Sequence, residues 1–307
     1  MKKKITIVFF SLSCILISCS GDDSTIPEED NNTSVGQDEI ITIPVVVHVV
    51  NYAPEPFEIS DDKIKSQIKV LNQDFRMKNE DLSKTPDEFK PFIADIKIEF
   101  KLATTSPEGQ PTKGIIRTMG NVTGFDGKRD EGESIEDLAL FFTDKGGQDA
   151  WPNDQYLNIW IAYFRDIDNQ VAYAFSSAPG DDPRIDGIAI DPNAFGTLAP
   201  LQNGVHKGRT ATHEIGHWLG LKHTYGTAFN CSSSDDVKDT PQQSRIYYGK
   251  PKHPQTSCGS NDMFMNFMNH ADDDVMHMFT KGQKEKMRAI FNPGSPRRAL
   301  YINIKNN

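Results

Sequence analysis

From Ile40 to Val50 the chain is an almost unbroken run of β-branched residues interrupted by Pro44, which predicts a buried strand with proline near its start. Ser60 then stands ready to cap a helix, with Asp61 and Asp62 suited to its positive first turn. Ile64, Ile68, Leu71 and Phe75 follow at helical spacing and share one face. Residues 79–91 are polar and punctuated by proline, hence loop. Ile96, Ile98, Phe100 and Leu102 alternate with charged residues, the pattern of a half-buried strand. Residues 106–154 are rich in glycine and charge and predict only a short helix near Glu133 to Phe142. Strands are expected over Leu157 to Tyr163, Val171 to Ser176 and Gly187 to Ile190, then a helix from Gly208 to Leu219. An irregular stretch separates it from a last helix, Thr280 to Phe291, stopped by Asn292-Pro293-Gly294. Helices and strands mix without regular alternation, so the fold class is α+β.

The first residues change the picture of where the chain works. Lys2, Lys3 and Lys4 precede a short apolar stretch from Ile5 to Ile17, which reads as a secretory signal over residues 1–18, too short to span a bilayer. Leu16-Ile17-Ser18-Cys19 resembles the lipobox of bacterial lipoproteins, which implies a lipid on Cys19 and membrane attachment through that anchor alone. Residues 19–39 are acidic, lack Lys and Arg, and cannot bury a core, so they read as a flexible tether or short pro-segment. The start Cys19-Ser20-Gly21-Asp22-Asp23 resembles the acidic signal that sends some lipoproteins to the outer cell surface; the other reading is a tether facing the periplasm. A single domain over 40–301 remains. The net charge of −10 disfavours nucleic acid and anionic lipid as partners, since both require a basic face. With Cys14 and Cys19 accounted for by the leader, Cys231 and Cys258 are left, and in an exported protein they read as a disulfide, the alternative being two free thiols.

The chemistry concentrates in Thr212-His213-Glu214-Ile215-Gly216-His217-Trp218-Leu219-Gly220-Leu221-Lys222-His223. On a helix His213 and His217 lie on one face and can direct two imidazoles at one ion. Glu214, between them, points elsewhere and can hold a water beside the metal. Gly220 suits a left-handed residue that ends the helix, after which His223 can return as the third ligand. Three protein ligands leave a position open for chemistry, unlike a closed structural zinc site.

This segment resembles the extended zinc signature of the metzincin metallopeptidases. Asn266-Phe267-Met268-Asn269-His270 is similar to their Met-turn, with Met268 as the methionine that packs below the metal. Ile43 to Val50, Leu71 to Arg76, Gly208 to Thr212, Asp236 to Pro241 and Met278 to Gln283 are similar, in order, to the pappalysin family and its short bacterial members. The resemblance implies a mixed twisted sheet over an active-site helix, an irregular lower subdomain, and Val171 to Ser176 as the strand at the cleft edge. It implies calcium binding through Asp235, Asp236, Asp239 and Thr240, and an S1′ wall at Asp272, Asp273 and Asp274, where a carboxylate would favour a basic residue. Two positions depart from the family. His270 stands where a tyrosine near the reacting carbonyl is common, and Lys250 and Val275 stand where relatives often have a further disulfide. His48 reads as an interior residue; His206, His253 and His277 lack ligand spacing.

The function expected is a zinc endopeptidase, acting on extracellular proteins or peptides as a monomer, with Glu214 as general base and acid and His270 assisting at the oxyanion. The rival reading is a surface lipoprotein that binds peptide or protein and has lost catalysis with the tyrosine; a zinc hydrolase of other substrates is a third. If residues 19–39 act as a pro-segment, the group reaching the zinc must be acidic, for example Asp30 or Glu39.

Overall fold

The computed structural model describes residues 33–52, 57–126, 134–164 and 173–306. The signal over 1–18, Cys19 and Asp30 lie outside the described residues. No helix among the described residues is long and apolar enough to cross a membrane.

Strand β1, Ile41–Tyr52, is the spine of the sheet. Strands β2 (Ile98–Leu102) and β3 (Ile115–Gly120) follow one another along one side of it, and β4 (Leu157–Ile161) runs along the other. Beyond β4 come β6 (Gly187–Ile190) and then β5 (Ala174–Ser176), giving the order β2-β1-β4-β6-β5 with β3 beside β1. Every pairing is parallel except that of β5, which lies antiparallel on β6 at the sheet edge. Side chains alternate across a strand, and in β1 both faces are buried. Ile41, Ile43, Val45, Val47 and Val49 meet the helices below, while Val46, His48 and Val50 meet the layer above. That double burial is why the strand reads as a continuous apolar run.

Helix α1, Asp61–Asp74, begins where Ser60 accepts a hydrogen bond from the Lys63 N–H. Ile64, Leu71 and Phe75 enter the lower core as the spacing predicts, with Ile68 at its margin. Helix α2, Arg209–Trp218, lies in the same core through Ala211, Ile215 and Trp218. Gln67 of α1 donates to the Gly208 carbonyl at 2.9 Å and Asp74 accepts from the Thr212 hydroxyl at 2.8 Å, so α1 fixes the entry of α2. At the exit, Arg297 stacks over the Trp218 ring at 3.6 Å, donates from Nε to the Trp218 carbonyl and from Nη1 to both oxygens of Asp186, so a buried ion pair faces the negative end of the helix. Helix α3, Lys281–Ala289, starts in a capping box between Thr280 and Gln283.

The structure corrects the sequence in four places. β3 was not foreseen in the glycine-rich middle. Instead of a helix near Glu133 to Phe142 there are short 3-10 turns over Ile135–Asp137, Ala139–Phe141 and Thr143–Lys145. Leu138, Leu140 and Phe141 all pack up against Trp160, which one helix cannot arrange because residues two apart point to roughly opposite sides. α3 stops before Asn292-Pro293-Gly294 as expected, but it is not the last helix: α4, Arg298–Asn306, follows and runs past the boundary expected at 301. The tether also ends sooner than residue 39. Val35 is buried, its N–H donates to Asn292 at 3.0 Å, and Arg288 donates to the carbonyls of Gly36 and Glu39. Glu39 itself accepts from Tyr301 and pairs with Lys305, which removes it as a group that could reach the metal.

His48 is interior, as expected. Its Nε2 lies 2.8 Å from Asn158 Oδ1 and its ring stacks on Trp160. Burial lowers its pKa to about 4, against an opposing hydrogen bond with Asn158. The unfolded chain binds the extra proton between about 6.5 and 4, so this histidine's contribution is present above 6.5 and is lost as pH falls through that window. Replacing His48 by Gln is expected to reduce the stability lost between pH 7 and pH 4 by about 3 kcal/mol, measured by urea denaturation at each pH. Equal losses in both proteins would contradict the buried neutral state.

Candidate metal centre

Helix α2 presents His213 and His217 one turn apart, and Gly220, with φ of +89°, ends it so that the chain doubles back. His223 then arrives opposite them. The three Nε2 atoms form a tight triangle: 3.1 Å between His213 and His217, 3.1 Å between His213 and His223, and 2.9 Å between His217 and His223. Nitrogen donors about 2.0–2.1 Å from a tetrahedral zinc stand about 3.3 Å apart, close to this spacing.

The ring protons explain why those atoms are free to converge. His213 Nδ1 lies 2.6 Å from the Phe267 carbonyl and His217 Nδ1 lies 2.8 Å from the Leu221 carbonyl. A carbonyl only accepts, so each Nδ1 carries the proton and each Nε2 offers a lone pair. Burial lowers the pKa of all three, and for His213 and His223 the neighbouring imidazoles push it further, well below the ordinary value, which favours the neutral rings. The lone pairs of His213 and His217 converge with the His223 Nε2 on one point, and a divalent cation there would turn the crowding of three ring nitrogens into ligation. The donor set therefore fits zinc.

Glu214 is buried between the imidazoles and the sheet edge. Burial pushes its carboxyl up to about 8, while a hydrogen bond with Ser176 of β5 works against the shift. Below the triangle the Phe267-Met268 segment closes the site. A Cβ on Gly216 would collide with the Met268 sulfur, so the glycine lets the methionine pack directly under the ligand helix. Asn269 ties this turn to the third imidazole by donating to Thr224 and accepting from the N–H of Tyr247 and of His270. His270 borders the site, with a ring nitrogen within 4.8 Å of those of His213 and His223, and its Nε2 is 2.7 Å from the Tyr225 hydroxyl.

A cleft of about 430 Å3 opens beside the triangle, lined by Tyr173, Ala174, Gly204, Glu214, Tyr248 and Asp272 among others. The three aspartates expected at its wall have separate fates. Asp273 also lines the cleft but is buried there, accepting from the backbone N–H of Lys207 and Arg209; Asp274 is held by Lys207 and Lys250. Asp272 faces the cleft beside Gly204. The Lys250–Asp274 pair, at 2.6 Å, also joins the two segments where relatives often place a further disulfide.

The residues expected to hold calcium are not gathered in this way. Asp235 accepts from the Val237 N–H and from Thr240, Asp239 accepts from Thr280 and the Gly282 N–H at the start of α3, and exposed Asp236 pairs with Lys222. Cys231 and Cys258 form a disulfide, with Cα atoms 5.4 Å apart. His206 and His253 pair with Asp274 and Glu88, and buried His277 lies near Asp81 and Arg209, all outside the triangle. Ser176, Tyr225 and Tyr248 were not singled out from the sequence. Tyr225 alone carried a signal, its place two residues after His223.

A helix with converging imidazoles and a carboxylate beneath a mostly parallel sheet defines a metallopeptidase of metzincin type. Comparison with known proteins agrees. The family model for peptidase M43, pregnancy-associated plasma protein-A, matches residues 143–292. Mirolysin in complex with compound 9 is 39% identical, with a TM-score of 0.78 over 87% of this chain and 98% of that one. Tannerella forsythia mature mirolysin in complex with a cleaved peptide is 38% identical, with a TM-score of 0.77 over 87% and 98%. An extracellular metalloprotease of Pyricularia oryzae is 28% identical over 85% of this chain and 78% of its own length. The chain belongs to the pappalysin family of metzincin metallopeptidases.

Replacing Gly216 by Ala is expected to destabilise the protein by about 1–3 kcal/mol through the clash with Met268, despite alanine's roughly 1 kcal/mol higher helix propensity. Thermal unfolding with and without zinc checks this; an unchanged or raised melting temperature would show that Met268 can step aside.

Proposed function

We propose that this protein is a zinc endopeptidase that acts outside the cytoplasm on proteins or peptides, held at the membrane through lipid on Cys19. The observation that carries the reading is the triangle of neutral imidazoles with a buried carboxylate beside it. His213, His217 and His223 hold the metal. Zinc there supplies Lewis acidity, which polarises the scissile carbonyl and acidifies the attacking water.

The chain's own residues do the rest. Strand β5 is the outermost strand of the sheet among the described residues and its Ala174 lines the cleft, and an extended substrate backbone adds to it as a further strand. Glu214 takes a proton from the attacking water as the new C–O bond forms, and passes it to the amine nitrogen as the C–N bond breaks. Its carboxyl is buried beside the imidazoles and next to Ser176 of β5, where it can reach both the water and the leaving nitrogen. His270 donates a hydrogen bond to the carbonyl oxygen as negative charge develops. Asp272 faces the part of the cleft that receives the side chain after the scissile bond and selects Lys or Arg there. The extracellular metalloproteases among the relatives, and the mirolysin complex with a cleaved peptide, support an external peptide substrate. The binding-module reading leaves Glu214 without a purpose, because holding peptide needs no buried proton acceptor beside a metal.

Replacing Glu214 by Gln keeps the shape and the metal ligands but removes the base. Peptide cleavage is expected to fall by about 10²–10⁴-fold while zinc content stays at one per chain. Cleavage at near wild-type rate would refute the role. Replacing Asp272 by Asn is expected to lower cleavage before Arg and Lys at least tenfold relative to cleavage before neutral residues. Profiling on a peptide library reads this directly, and an unchanged profile would place the selectivity elsewhere.

A further inference from the structure

His270 stands where the family resemblance leads one to expect tyrosine, and the replacement creates a problem that the structure resolves. A tyrosine hydroxyl always has a proton to donate. A neutral imidazole donates from one nitrogen and accepts at the other, and its surroundings decide which. If the nitrogen facing substrate were the acceptor, it would set a lone pair against an oxygen gaining negative charge.

Tyr225 removes that ambiguity. Its hydroxyl is 2.7 Å from His270 Nε2, whereas His270 Nδ1 makes no hydrogen bond with the described residues and is not buried. The Tyr225 ring is buried and stacked on His223, with centroids 4.8 Å apart and planes 18° apart, so the hydroxyl cannot swing elsewhere without breaking the stack. The rings of His213 and His223 pack against His270 at 5.0 and 4.6 Å between centroids, with Tyr248 at 6.1 Å, and crowd the imidazole. A phenol at neutral pH keeps its proton and needs an acceptor, and Nε2 is the acceptor provided.

We propose that Tyr225 is a positioning residue, whose O–H donates to His270 Nε2 and fixes the Nδ1–H tautomer, so that His270 presents an N–H donor to the scissile carbonyl oxygen. No proton is transferred in this role; both groups keep theirs throughout. The inference rests on the peptidase reading for its consequence, but the tautomer itself is a property of the resting protein.

Two measurements test it, on the zinc-loaded full domain. In ring-15N-labelled wild type, nitrogen NMR is expected to show His270 Nδ1 as the protonated nitrogen and Nε2 as the hydrogen-bonded lone-pair nitrogen. In Tyr225→Phe, which preserves the stacked ring, the two tautomers are expected to mix. In peptide kinetics Tyr225→Phe is expected to lower kcat about tenfold with KM within about twofold, as for a weakened oxyanion donor. The same substitution in a His270→Ala background is expected to change kcat by less than about twofold, because its only target is gone. A proton on Nε2 in the wild type, or an equal kinetic cost in both backgrounds, would overturn the proposal. If the wild-type enzyme cleaves no peptide, the hydrolase reading fails, and the nitrogen spectrum still decides for or against the tautomer.

Discussion

Three ring nitrogens meeting at one point are the constraint on which the rest of the structure depends. Left alone, each imidazole would turn its Nε2 toward a proton or a solvent molecule. The carbonyls of Phe267 and Leu221 prevent that for His213 and His217 by occupying the opposite ring nitrogen. Neither carbonyl belongs to the ligand helix. One comes from the segment after the helix turns back, the other from the Met268 turn more than forty residues further on. The metal centre is therefore assembled by the irregular lower part of the chain as much as by the helix that carries its signature.

That dependence explains how the scaffold is tied together. Arg209, at the first turn of α2, forks onto Asp81 after α1 and donates to the Asp273 carbonyl beyond the Met268 turn. Its charge holds Asp81 down to about 2 even though burial opposes this. Removing one partner of such a buried pair leaves a charge with nothing to answer it, which costs far more than a surface pair contributes. Arg297 and Asp186 do the same at the other end of the helix. Both ends of a ten-residue helix are thus held by buried ions, and Thr210, His213 and Glu214 between them line the cleft.

Much of this was legible in the sequence because local patterns determined it. The β-branched run of β1, the Ser60 cap, the spacing of His213, His217 and His223, and the left-handed turn at Gly220 all need no knowledge of distant contacts. What escaped was set by tertiary packing. β3 is half-buried on one face and exposed at Arg117 and Met119 on the other, and with Ile115 and Met119 on that exposed face its sequence shows no clean alternation of polarity. The turns at 134–145 carry helix-forming residues, but their apolar side chains must all reach Trp160. Ser176 carries no spacing rule, and Tyr225, although it stands two residues after His223, reaches its partner His270 only across the fold. The aspartates at 272–274 are indistinguishable as sequence, and only their neighbours separate a cleft carboxylate from two that serve the scaffold.

The most direct test is anomalous diffraction at the zinc absorption edge from crystals of the purified protein, with no metal added. The account predicts a single strong peak about 2.0–2.1 Å from Nε2 of each of His213, His217 and His223, with the Glu214 carboxylate outside bonding distance of it. No peak at that point, or a metal held with Glu214 as a direct ligand, would contradict it.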